Sequence, residues 1–221
     1  MKKSSIVRLV LYVTLMLNAG KGVAQVTMKD LWLAMPDSVL PYLNESMRRD
    51  HIDFITMNLD SEVKNLLEGK GVMDTLSVDY CHVRLNEKLT WQLMLLPLEG
   101  KNDSVICSIK TYHTLCPESE VSFFNLGWTR IDNSFGLPSM SNSDKLISDM
   151  TQKPDTMSLQ QFAKMKEELL PVMVEAVYSP FDKTIELRLS GHLTSVDAGE
   201  SLDAIIIPKK YKWNGKEFIE C

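Results

Sequence analysis

The chain has 221 residues, 44% of them hydrophobic, with 29 acidic against 24 basic side chains and a formal charge of −5. That length and apolar content suffice for one good core or two small ones without disulfide staples. An acidic chain with no basic run is a poor partner for phosphate backbones or anionic lipid, which need clustered Lys and Arg. Nucleic-acid binding is excluded on that ground, and the nearest approach to a cluster, Lys209-Lys210-Tyr211-Lys212, reads as a solvated strand edge.

Lys2, Lys3 and Arg8 make a basic start, residues 6–17 are an apolar run broken only by Arg8 and Thr14, and Gly22-Val23-Ala24 supplies the small-x-small pattern that signal peptidase needs. Residues 1–24 therefore read as a cleavable signal peptide cut after Ala24, which places the mature chain in the periplasm or outside the cell. A membrane anchor is the competing reading. Twelve apolar residues in a helix reach only about 18 Å, however, against a hydrocarbon core of about 30 Å. The first cysteine is Cys81, far from the cut, so a lipoprotein anchor has no attachment point. No transmembrane segment is expected after cleavage.

Residues 25–131 are expected to hold helices followed by an antiparallel sheet. Thr27-x-x-Asp30 is a capping pattern that opens a short helix ending before Pro36. A second helical stretch is predicted over 37–42. A third spaces Met47, His51, Phe54, Ile55, Asn58, Leu59 and Val63 on one stripe, with Glu45, Arg49 and Asp53 opposite at i, i+4 intervals. From about residue 72 the period becomes two. Strands are predicted at 78–85, 89–98, 104–113 and 120–131, joined by polar turns at 86–88 and 99–103 into a meander. Cys81 falls in register with Val83 and Leu85, and Cys107 with Val105 and Ile109, so both are expected in the core as free thiols. If any bridge forms, Cys107 to Cys116 is favoured as a short local loop.

Residues 132–157 lose periodicity and read as a loop or linker. The last segment, 158–221, opens on the capping box Ser158-Leu159-Gln160-Gln161. It continues as the stripe Leu159, Phe162, Met165, Leu169 and Met173, interrupted by Pro171. Strands are predicted at 184–193 and 202–213, with Asn214-Gly215 as a type I′ hairpin turn before Lys216. The fold class is α+β: N-terminal helices on an antiparallel meander, then a second helix with a smaller antiparallel unit docked on the first half.

No catalytic residue is assigned. H-E-x-x-H, G-x-S-x-G and G-x-x-x-x-G-K-[ST] are all missing from the sequence. His51, His82, His113 and His192 lie apart, and Cys81 and His82, adjacent on a strand, point to opposite faces. No metal and no cofactor are expected. Paired carboxylates among 29 acids cannot be recognised from spacing alone.

Met35-Pro36-Asp37-Ser38-Val39-Leu40-Pro41-Tyr42-Leu43 departs most from generic patterning, because two prolines stop one helix and set the start of the next. Around this corner Trp32, Tyr42, Arg48, Asp50 and Asp53 are the candidate ligand- or partner-binding residues. Their bland alternative is capping and i, i+4 pairing along a helix. The same nine residues, with Arg48-Arg49-Asp50-His51-Ile52-Asp53-Phe54, resemble the N-terminal signature of the exported Bacteroidetes proteins grouped as domain of unknown function 3256. Met173-Val174-Glu175-Ala176-Val177-Tyr178-Ser179-Pro180 and Thr184-Ile185-Glu186-Leu187-Arg188-Leu189-Ser190 resemble the family's later signature. The resemblance covers most of 27–221. It implies a Gram-negative envelope location and brings no activity, cofactor or catalytic residue.

The expected function is that of an exported, non-catalytic envelope protein binding a partner protein, a glycan or another ligand. The alternative is a hydrolase acting on glycan or peptide through carboxylates or a histidine. A cleft converging acids or His51 would favour the hydrolase, and a broad apolar or aromatic patch would favour binding.

Overall fold

A computed structural model of the chain describes residues 25–59, 62–66, 68–191 and 202–221. The signal peptide read at 1–24, like His192, lies outside the described residues. The fold is α+β. Two helices, α1 (Met28–Leu33) and α2 (Glu45–Thr56), precede seven strands: β1 (Val63–Lys64), β2 (Lys70–Leu76), β3 (Tyr80–Asn86), β4 (Leu89–Pro97), β5 (Ser104–Tyr112), β6 (Glu118–Phe124) and β7 (Arg130–Ile131). These pair in chain order into one antiparallel meander. Helices α3 (Ser143–Met150) and α4 (Leu159–Glu167) follow. A second antiparallel sheet then forms from β8 (Met173–Ser179), β9 (Thr184–Ser190), β10 (Lys209–Trp213) and β11 (Phe218–Glu220), in the order β11-β10-β9-β8.

Three layers result, because the large sheet is buried on both faces. Alternation along a strand sends Cys81, Val83, Leu85, Trp91, Leu93 and Ile106 toward α1 and α2. Tyr80, Met94, Leu96, Val105, Cys107 and Ile109 point the other way, into a cluster completed by Ala176, Ile185, Leu187, Trp213 and Phe218 of the small sheet. Each buried Val, Leu, Ile, Met or Phe among them contributes roughly 1.5–3 kcal/mol. The edge strand β8 lies across the large sheet, and polar side chains close its outer edge. Ser119 Oγ accepts from Ala176 N at 2.9 Å, while Gln92 accepts from Tyr178 N and donates to Tyr178 O, both at 3.2 Å. An edge that would otherwise be open to another strand is thereby satisfied.

Both predicted capping boxes form, at Thr27 with Asp30 and at Ser158 with Gln161. Several boundaries differ from the sequence reading. The stretch 37–42 makes isolated turns, with Val39 N bonded to Pro36 O and Leu43 N to Leu40 O, since Pro41 has no N–H to extend a helical ladder. The long stripe through Val63 is cut at Thr56 by a Schellman-type end. Asn58 takes a left-handed φ of 54°, Leu59 N bonds to Phe54 O, and Asn58 N bonds to Ile55 O. Val63 belongs to β1 and pairs with Gly71. In the stretch read as a loop, 132–157, Asn142 caps α3, which buries Leu146 and Met150. Met173 opens β8 rather than ending a helix, because α4 stops at Glu167 and Pro171 intervenes.

The C-terminal hairpin also differs. Trp213 pairs with Phe218, so the loop has four residues, and Gly215 has positive φ (97°) while Asn214 does not. Asn214 Oδ1 accepts from Lys216 N and Glu217 N, both at 2.8 Å, which holds the longer loop where a two-residue turn was expected.

Candidate functional site

The prolines bend the chain between α1 and α2, and the five corner residues then divide between inside and outside. Trp32 is 0% exposed and donates from Nε1 to Arg48 O at 3.0 Å. Arg48 is 2% exposed and donates to Leu43 O at 2.5 Å, Met35 O at 2.6 Å and Asp37 Oδ1 at 2.8 Å. Neither can meet a ligand, because the α-helical spacing that suggested a displayed surface turns them toward the sheet. This corrects their reading as binding residues. Tyr42 is half-buried, and burial pushes its phenol up to about 12. Asp50 and Asp53 are exposed on the outer side of α2. The five therefore do not converge on one surface.

The cysteines are free thiols. Cys107 sits in the middle of β5, five residues from its end, whereas Cys116 lies in the turn beyond. At about 3.3 Å per residue the separation along the strand is about 16 Å, out of reach for a bridge that requires Cα atoms within about 7 Å. The bridge weighed from the sequence does not form. Burial pushes the Cys81 and Cys107 thiols up, leaving them poor nucleophiles.

A polar concavity lies elsewhere, on the part of the large sheet that the small sheet leaves uncovered. The groove, about 810 Å³, has β2, β3 and β4 as its floor and the β1–β2 connection as one wall. Glu62, Lys70, Arg84, Lys88, Thr90 and His113 line it. Beside it, Arg84 Nε reaches both oxygens of Asp74 at 3.1 Å, and His82 Nδ1 stands 3.2 Å from Asp74 Oδ2. Burial holds the His82 imidazole below its ordinary range, with the neighbouring Asp74 carboxylate opposing, so the ring is neutral at pH 7. Across the strand pair, Thr90 sits opposite Arg84, and its hydroxyl meets His113 Nε2 at 2.9 Å.

In a triad-type site one imidazole is held by an orienting carboxylate and touches the nucleophile. Here those contacts fall on different rings, with the carboxylate on His82 and the hydroxyl on His113. The groove lining can exchange hydrogen bonds with a ligand. Among the described residues, no group of three or more His, Cys, Asp and Glu side chains could hold a metal ion. None of Lys70, Asp74, Arg84 or Thr90 stood out in the sequence, where each is an ordinary polar strand position. Their juxtaposition depends on cross-strand register. His82 and His113 were visible only as separate histidines.

The family model "Protein of unknown function (DUF3256)" matches residues 21–218. No curated protein matches the chain. A solved domain of an uncharacterized protein from Porphyromonas gingivalis W83 is similar in fold, with a TM-score of 0.69 and 18% identity over 88% of this chain and 97% of that domain. At that identity the likeness extends to the fold alone. Among the described residues no helix is long and apolar enough to cross a membrane.

Proposed function

The chain belongs to the family described as Protein of unknown function (DUF3256), and from that premise we propose that it is an exported, non-catalytic envelope protein that binds a polar ligand or a partner's polar segment in the groove over β2, β3 and β4. The observation that carries this reading is the open polar groove lined by Glu62, Lys70, Arg84, Lys88, Thr90 and His113, with the carboxylate-paired His82 outside the lining. Its ion pairs, Lys70 with Glu62 and Arg84 with Asp74, supply donors and acceptors side by side. Such a lining suits a ligand rich in hydrogen-bonding groups better than an apolar one.

The test is titration of the mature protein with a panel of neutral and acidic oligosaccharides and short peptides, followed by backbone amide NMR. Shifts confined to Lys70, Arg84, Thr90 and His113, and abolished by Arg84→Ala with the melting temperature kept, are the expected result. Shifts that map to another face would overturn the groove as the site. Turnover of any panel member would replace the reading with the hydrolase.

A further inference from the structure

The groove leans on α2 through one glycine. Gly71 lies between Lys70 and Val72, which line the groove, and strand alternation turns it to the opposite face. A Cβ there would meet Arg84 O at 3.0 Å and stand at ordinary contact distance, 3.5 Å, from His51 Nε2, so the imidazole sits in a slot directly against the glycine. His51 is 1% exposed, its ring centroid lies 5.8 Å from that of Trp32, and neither ring nitrogen has a hydrogen-bond partner. Buried polar groups without partners are uncommon, and a neutral imidazole bears the situation far better than an imidazolium, which has two N–H donors and a charge.

Burial opposes the charged form, and the two groups that favour it, the Gly71 backbone and the Asp50 carboxylate, do not make up the loss. The elements packed against α2 are α1, β1 and β2. From α1 comes the uncharged Trp32. From β1 and the residue after it come Val63 and the amide of Asn65, which donates to Leu85 O and accepts from Gly69 N; the exposed Lys64 is paired with Glu68. From β2 come Gly71 and Met73, with Lys70 tied to Glu62 on the far side and Asp74 to Arg84 and His82. On α2 itself, Arg48 is already a buried cation bound through Asp37, and Asp50 is exposed, acting on the ring only through space.

We propose that His51 is a proton-operated latch behind the groove: neutral, it packs α2 against β2 and holds the groove wall; protonated, it leaves the slot and releases that wall. The consequence for ligand rests on the groove reading, whereas the motion does not. Hydrogen–deuterium exchange of the mature protein, expressed as protection factors at pH 7.5 and pH 5.0, tests it. Burial holds the ring at about 4, against about 6.5 when free. Protection of α2, β1 and β2 should accordingly fall roughly tenfold or more at the lower pH. In His51→Leu the fall should vanish.

Equal protection of the wild type at both pH values, or the same loss in His51→Leu, would overturn the latch. Should His51→Leu not fold, NMR titration of the wild-type imidazole C–H decides instead. A ring that titrates near its ordinary value while α2 keeps its protection overturns the proposal, and titration that tracks the loss of protection supports it. Ligand affinity separates the two readings. Release of the wall with unchanged affinity counts against the groove, and intact binding without release counts against the latch alone.

Discussion

Arg48 holds its charge out of solvent by ending on two carbonyls, Met35 O and Leu43 O, that flank the proline corner, as well as on Asp37. It ties both ends of the corner to α2, so Arg48→Leu should strand those carbonyls and cost about 2–4 kcal/mol in urea unfolding. Asp37→Asn should cost under about 1 kcal/mol, because that carboxylate side chain is 62% exposed. Equal losses would show that the ion pair, not the carbonyls, carries the interaction. His51 sets the pH response. Its folded value, about 4, lies below the unfolded one of about 6.5, so the unfolded chain takes the proton first. The stability is fully present above about pH 6.5 and is lost as pH falls through about 4, by on the order of 3 kcal/mol. Denaturant midpoints across that window, compared with His51→Leu, measure it, and parallel curves for the two proteins would refute the assignment.

At the level of elements, the chain stops its helices with local chemistry. Thr27, Asn44, Asn142 and Ser158 cap the N-termini by accepting backbone N–H bonds, and Asn58 ends α2 in a left-handed conformation. The C-terminal loop depends on Gly215 in two ways. Its φ is 97°, and an added Cβ would meet Glu99 Cβ at 3.0 Å while its carbonyl accepts from Glu99 N at 2.7 Å. Gly215→Val should therefore lower stability by about 1 kcal/mol or more, seen as a drop in melting temperature. An unchanged melt would mean that the loop yields without loosening its seat on the β4–β5 turn. Strand β8 escaped the sequence reading for a physical reason. Met173 continues the apolar spacing of α4, and only the proline between them marks the change of period.

For the whole molecule, two cores on opposite faces of one sheet make the large sheet the common support of the helices, the small sheet and the groove. The thiols are free, and the two most buried ones, Cys81 and Cys107, lie on opposite faces of that sheet. Thermal melts with and without reductant should coincide. A lower melting temperature on reduction would show a bridge formed outside this arrangement. Export is tested at the N-terminus. Mature protein from the periplasm should begin at Gln25 by N-terminal sequencing, and retention of residues 1–24 in a membrane fraction would refute the cleavage reading.

Local signals were legible in the chain by itself. Capping boxes, the period-two segments that became β3, β4 and β5, the inward-facing Cys81 and Cys107, and the α+β class all follow from forces between residues a few positions apart. The tertiary structure alone decided which face each polar residue joined. Trp32 and Arg48 look like display residues along a helix until the sheet is in place beneath them. Asp74, His82, Arg84, Thr90 and His113 come together only through the pairing of β2, β3 and β4 and the β5 end that follows, because cross-strand register depends on contacts between distant segments that no local period encodes.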